Sequence, residues 1–218
     1  MFNEGYYSTN NEKLIREDLI EEAMLLCKLL TENQHTYLPE VFALMALMCF
    51  HSARSESRVT AEGEIILLPH QDRSKWNRQL IDKGSEYMGK ASFGNAVTSY
   101  HIEASIAYEH CIAKSFEETN WKLILDYYIW VCIFYPSPIT ELNKVVAVMQ
   151  VHGAATALQE LENIKDKKKL ESYYLYYSIL GEIHLQLKNS SEAKKYFEKA
   201  IQLAPSEMEK KMLREKLL

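Results

Sequence analysis

The chain has 218 residues and a mass of 25.4 kDa, with 47% hydrophobic and 25% charged residues. That composition excludes a disordered tail and allows one large domain or two small ones. Seven Gly and five Pro are too few turn residues for a many-stranded sandwich or barrel, and a net charge of −5 excludes a surface-wide nucleic-acid footprint.

A first helix is expected over Asn11 to Glu32, where Leu14, Ile15, Leu19, Ala23, Leu26 and Leu30 recur at three and four as a packed stripe. Pro39 suits the first turn of a second helix carrying Val41, Leu44, Met45 and Met48. The period changes between Arg58 and Leu68, where Gly63 offers a turn position between two extended runs. A short β-hairpin or extended excursion is expected there.

Helical pattern resumes at about 72–91, 96–114 and 120–135. Ser137-Pro138 then supplies an N-cap and first-turn pair for a helix ending near His152-Gly153.

Tyr174 to Glu207 has the length of a tetratricopeptide repeat. Tyr177, Leu180 and Gly181 take the aromatic, Leu and Gly positions of the first helix. Ala193, Phe197 and Ala200 take the small, aromatic and small positions of the second, with Pro205 at the end and His184 in place of an aromatic. A degenerate copy places Ala157 and Leu161 upstream, and a last helix over 206–218 would cap the stack, with Met208, Met212 and Leu213 inward and Glu209, Lys210, Lys211 and Arg214 outward.

The fold class expected is all-α: a right-handed α-solenoid of antiparallel helix pairs, tetratricopeptide-like, with the one excursion near 58–68. Residues 1–135 would form an N-terminal helical part and 136–218 the repeats with their capping helix, as one continuous domain.

Charge is uneven. Residues 165–218 hold 12 Lys/Arg against 8 Asp/Glu, whereas 1–164 hold 13 against 22. A solvated helix pair accounts for this simply, and a second partner face is the other reading. The longest apolar runs, Val41 to Phe50 and Tyr127 to Tyr135, are far short of the ~20 residues of a membrane span. Cys27, Cys49, Cys111 and Cys132 lie apart in apolar helical stretches, as free thiols of a reducing compartment do. The expected location is cytoplasmic.

No phosphate loop, nucleophile elbow or zinc-protease motif is present. His101, Glu103 and His110 share a helix, but His101 and His110 stand about 180° apart on the wheel, so no metal is expected. No cofactor and no catalytic residue are expected. Asp72, Arg73 and Trp76 form a polar and aromatic cluster at a helix start, and with Tyr100 and His101 they make the candidate interaction surface. Capping by Asp72 and local pairing of Arg73 would explain the cluster structurally instead. The tyrosines Tyr173, Tyr174, Tyr176 and Tyr177 fit repeat packing, and a peptide groove is the functional alternative.

Phe2-Asn3-Glu4-Gly5-Tyr6-Tyr7-Ser8 resembles the segment that follows the second DNA-binding region in bacterial extracytoplasmic-function (ECF) RNA polymerase sigma factors with a long tetratricopeptide-like extension. Further matches follow in order: Ile15-Arg16-Glu17-Asp18-Leu19, Leu44-Met45-Ala46-Leu47-Met48, Ser52-Ala53-Arg54 and Gln71-Asp72-Arg73-Ser74-Lys75-Trp76. After them come Tyr100-His101-Ile102-Glu103-Ala104, Ile106-Ala107, His110, Pro136-Ser137-Pro138-Ile139 and Leu142-Asn143. The two DNA-binding sigma domains are not among these residues, so the resemblance implies an excised C-terminal domain or a truncated gene. It implies a non-enzymatic regulatory role in transcription initiation, through the sigma-factor DNA-binding domains, core RNA polymerase or a small YCII-like signalling protein. Direct nucleic-acid contact by this chain is not implied, in agreement with its acidity, and from the short apolar runs no membrane is expected. A small-molecule-sensing helical domain, with Trp76, Tyr100, His101 and Trp121 around an aromatic pocket, is the alternative.

Overall fold

The computed structural model describes residues 1–6 and 15–217. Among them the chain is all-helical, with eleven helices and a few 3₁₀ turns. It divides into two compact units, 1–120 and 121–218.

The first unit holds α1 (Phe2–Tyr6), α2 (Glu17–Glu32), α3 (Pro39–Ser52), α4 (Arg78–Ala91) and α5 (Ser99–Ile112). Helix α3 is its axis. It is apolar nearly all round, with Phe42, Ala43 and every residue from Met45 to Phe50 buried, as expected of a helix packed on several sides. Helices α2, α4 and α5 all pack on it. Pro39 sits in its first turn, where a missing N–H costs nothing.

The α3–α4 contact depends on Gly84. A Cβ there would lie 2.5 Å from Cε1 of Phe50, so hydrogen alone lets the Phe50 ring sit on α4. Ala46, Phe50 and Ala53 of this core repeat the small-aromatic-small spacing of Ala193, Phe197 and Ala200. Ala104, Tyr108 and Cys111 on α5 repeat it again, with Tyr108 5.6 Å from Phe50. The spacing thus occurs in both units.

The excursion at 58–68 is a single antiparallel bridge, Val59 to Ile65. Thr60 N donates to Glu64 O at 2.9 Å and Ile66 N to Arg58 O at 2.8 Å, and Gly63 turns the chain at φ 84°. It is too short to form strands.

The second unit holds α6 (Trp121–Phe134), α7 (Pro138–His152), α8 (Ala154–Glu162), α9 (Tyr174–Gln186), α10 (Ser190–Leu203) and α11 (Glu207–Glu215). Each packs on its chain neighbour, as in stacked helix pairs. Ser137 Oγ accepts from Thr140 N at 3.0 Å to cap α7, and Gly153, at φ 83°, separates α7 from α8. Helix α6 packs on α7 within this unit, which begins at residue 121.

In the repeat, Gly181 faces Phe197 as Gly84 faces Phe50; a Cβ at 181 would lie 2.7 Å from the ring. Phe197 is 1% exposed among Tyr174, Ala193, Ala200, Ala204 and Leu213.

Two expectations need correction. In the described part of α2 the buried stripe is Ile20, Ala23, Cys27 and Thr31, while Leu26 and Leu30 are exposed with Leu25 and Leu29. Cys27 takes the inward place against Met45, Met48 and Cys49, which turns the leucines outward. The expected start of that helix, 11–14, lies outside the described residues. Glu209 points inward, not outward. Its carboxylate accepts from Ser206 N at 3.0 Å in a capping box, which holds it at 2% exposure.

Candidate interaction surfaces

The residues expected to form one interaction surface are placed in three different ways. Asp72 is exposed and caps the 3₁₀ turn 73–75. Its Oδ1 accepts from Ser74 N at 3.0 Å and Ser74 Oγ at 2.6 Å, and these bonds hold its carboxyl below the usual carboxylate range. Arg73 and Trp76 are buried, at 9% and 2% exposure.

Arg73 Nη1 donates to His110 O at 2.5 Å and Ala113 O at 2.9 Å, and Nη2 to Thr119 Oγ1 at 3.4 Å. Its guanidinium lies 4.6 Å from the Trp76 ring centre. Those carbonyls end α5, so Arg73 satisfies a helix C-terminus that would otherwise be orphaned. The pair ties the 73–75 turn to α5 and offers no exposed ring or charge to a partner.

His101 is a cap. Its Nδ1 accepts from Thr98 N at 3.1 Å at the start of α5, which leaves Nε2 to donate to Ala91 O at 3.2 Å. Tyr100, one residue earlier, is 41% exposed. Trp76 in the core and Tyr100 on the surface do not line a common aromatic wall, and Trp121 belongs to the other unit. Among the described residues no three His, Cys, Asp or Glu side chains are grouped as a metal site would need.

The second unit presents an open cleft of about 400 Å³ between the end of α8, the turn after it, and α9–α10. Tyr176, Tyr177, His184 and Tyr196 line it, with Leu158, Leu161 and Leu180 at its apolar base and Glu162, Lys167 and Glu171 at the rim. Tyr176 and Tyr177 meet edge to face at 5.1 Å, and His184 stacks on Tyr196 at 5.2 Å and 23°. The imidazole therefore supplies a flat ring where the repeat ordinarily has an aromatic. Burial raises the Tyr176 and Tyr177 hydroxyls above their usual range, so both remain donors at neutral pH.

Two exposed apolar faces carry no distinguishing period in the sequence. Leu25, Leu26, Leu29 and Leu30 form one on α2, and Trp130, Ile133 and Phe134 another toward the end of α6. Exposure cannot be read from hydrophobicity alone, because an inward and an outward apolar stripe have the same period.

Residues 1–92 match the model of a family of unknown function (DUF6596), and residues 174–207 match the tetratricopeptide repeat. An uncharacterized protein of Rhizobium meliloti (strain 1021) is 33% identical over 217 residues, covering all of this chain and 51% of that protein. The chain thus spans about half the length of the curated relative it matches. No solved structure matches. None of the helices is long and apolar enough to cross a membrane, among the described residues. The second unit carries a tetratricopeptide repeat, a helical element of protein–protein interaction.

Proposed function

We propose that this chain is a regulatory, protein-binding domain of an ECF-type RNA polymerase sigma factor, and that it acts in transcription initiation without catalysing a reaction. The observation that carries the binding role is the tetratricopeptide unit with its open cleft of Tyr176, Tyr177, His184 and Tyr196. Rigid amphipathic rings around an apolar base suit a peptide segment, because they give contact area at little entropic cost. The sigma assignment is supported by the ordered motifs from Phe2 to Asn143 and by a relative twice as long, whose other half would hold the domains to be regulated.

The partner in this reading is the sigma-factor DNA-binding portion, reached in cis, with core polymerase or a small signalling protein as further contacts. Calorimetry of this chain with the separately produced other half of the Rhizobium relative tests it. Micromolar or tighter binding supports an intramolecular contact, since a tether raises the effective concentration to about millimolar. Absence of binding there and to core polymerase refutes it.

A further inference from the structure

We propose that Arg54 and Arg58 form a binding site for a small phosphate-type oxyanion in the first unit. Arg54 follows α3 and donates from Nη2 to Tyr6 Oη at 2.8 Å, and its guanidinium lies 5.7 Å from the Trp76 ring centre. Arg58, in the next turn, donates from Nη1 to Tyr6 O at 2.5 Å and lies 3.7 Å over the Tyr6 ring. Both are half-buried. The turn carrying Arg58 packs on the turn carrying Arg73, which covers Trp76.

This wall is cationic throughout. Among the described residues, no carboxylate is within ion-pair distance of Arg54, Arg58 or Arg73. The acid felt by Arg73 is exposed Glu117, and Arg78 adds a further positive charge near Cys111. Burial and the fields of Arg54, Arg58 and His110 push the His51 imidazole down to about 3. Burial with Arg54 and Arg73 does the same to His110, so neither ring adds charge at neutral pH.

Half-buried guanidiniums that repel one another cost stability unless an anion joins them. Orphaned polar atoms concentrate in the same stretch. His51 Nδ1, Ser55 Oγ, Gln71 Oε1 and Trp76 Nε1 are buried without a partner, and Trp76 is 2% exposed. A buried polar atom without a protein partner takes one from solvent or from a ligand.

The charge selects the class. Arg73 spends its fork on backbone carbonyls, whereas Arg54 and Arg58 each use one donor and keep four. Two uncompensated guanidiniums are neutralised by a dianion and left half-neutralised by a carboxylate. Guanidinium forks and tetrahedral oxyanions are complementary.

The test uses the full chain in phosphate-free buffer. Inorganic phosphate is titrated by calorimetry and followed by melting temperature, against acetate and potassium chloride at matched ionic strength. Expected is saturable binding and a rise in melting temperature for phosphate alone. The affinity should fall at least tenfold in Arg54→Gln and in Arg58→Gln and stay unchanged in Lys168→Gln. Should one arginine variant fail to fold, the other carries the comparison, and the wild-type titration stands by itself. No saturable heat with phosphate, an equal rise with chloride, or a wild-type response in a folded arginine variant overturns the site. An equal response to acetate overturns the dianion assignment and points to a protein carboxylate.

Discussion

Gly84→Ala is the substitution on which local propensity and packing disagree in sign. Alanine in a helix interior is favoured over glycine by about 1 kcal/mol. Against that, the new methyl would lie 2.5, 2.8 and 2.8 Å from three ring atoms of Phe50, which is fully buried. The ring must move by about 1 Å to reach van der Waals distance, and it meets Ala104, Ala107 and Cys111 of the same cluster when it does. Overpacking of this kind costs about 1–3 kcal/mol; with so severe an overlap we place it at the upper end, leaving a net loss of about 1–2 kcal/mol. Thermal unfolding by circular dichroism should show a melting temperature lower by roughly 3–8 °C. Combining Gly84→Ala with Phe50→Leu should cost at least about 1 kcal/mol less than the sum of the two alone. A Gly84→Ala chain more stable than wild type would refute the contact.

Arg73→Ala strips the carbonyls of His110 and Ala113 of their donor and uncovers Trp76; denaturant unfolding should show a loss of about 2–4 kcal/mol. The folded-state pKa values of His51 and His110 fall from 6.5 to about 3, so below pH 6.5 the unfolded chain binds the more protons. Stability should be full above pH 6.5 and decline toward pH 3, by up to about 1.4 kcal/mol per pH unit for each ring; pH-dependent denaturant melts of His51→Gln should show a shallower decline. Burial pushes the thiols of Cys27, Cys49 and Cys111 up to about 11, 12 and 11. A thiol reagent at pH 8 should therefore label them only on unfolding, as kinetics followed by mass spectrometry would reveal.

Much of the fold was legible because its punctuation is local. Pro39, Ser137-Pro138 and Gly153 mark helix ends by backbone chemistry alone, and the repeat shows itself because Gly181 and Phe197 must be small and large where their helices touch. The same spacing in Ala46, Phe50 and Ala53 stands in the sequence too, but its glycine follows on α4 instead of preceding it. Burial was less legible. Cys27 displaces Leu26 and Leu30 from the core of the first unit, and neither identity nor period distinguishes the two stripes.

The candidate surface was legible as chemistry and not as location. Arg73 and Trp76 do form one cluster with Asp72 beside them, yet the carbonyls that hold Arg73 lie about 40 residues away in the chain and carry no side-chain signal. The tyrosine run was expected as repeat packing or a peptide groove: Tyr174 packs in the repeat core, and Tyr176 and Tyr177 line the open cleft.

The most direct measurement of the central claim is the affinity of the other half of the Rhizobium relative for this chain and for its Tyr176→Ala variant, by calorimetry at equal salt. The account predicts micromolar or tighter binding to the native chain and at least tenfold weaker binding to the variant. No binding to the native chain, or equal affinity for both, would contradict a regulatory contact made through the tetratricopeptide cleft.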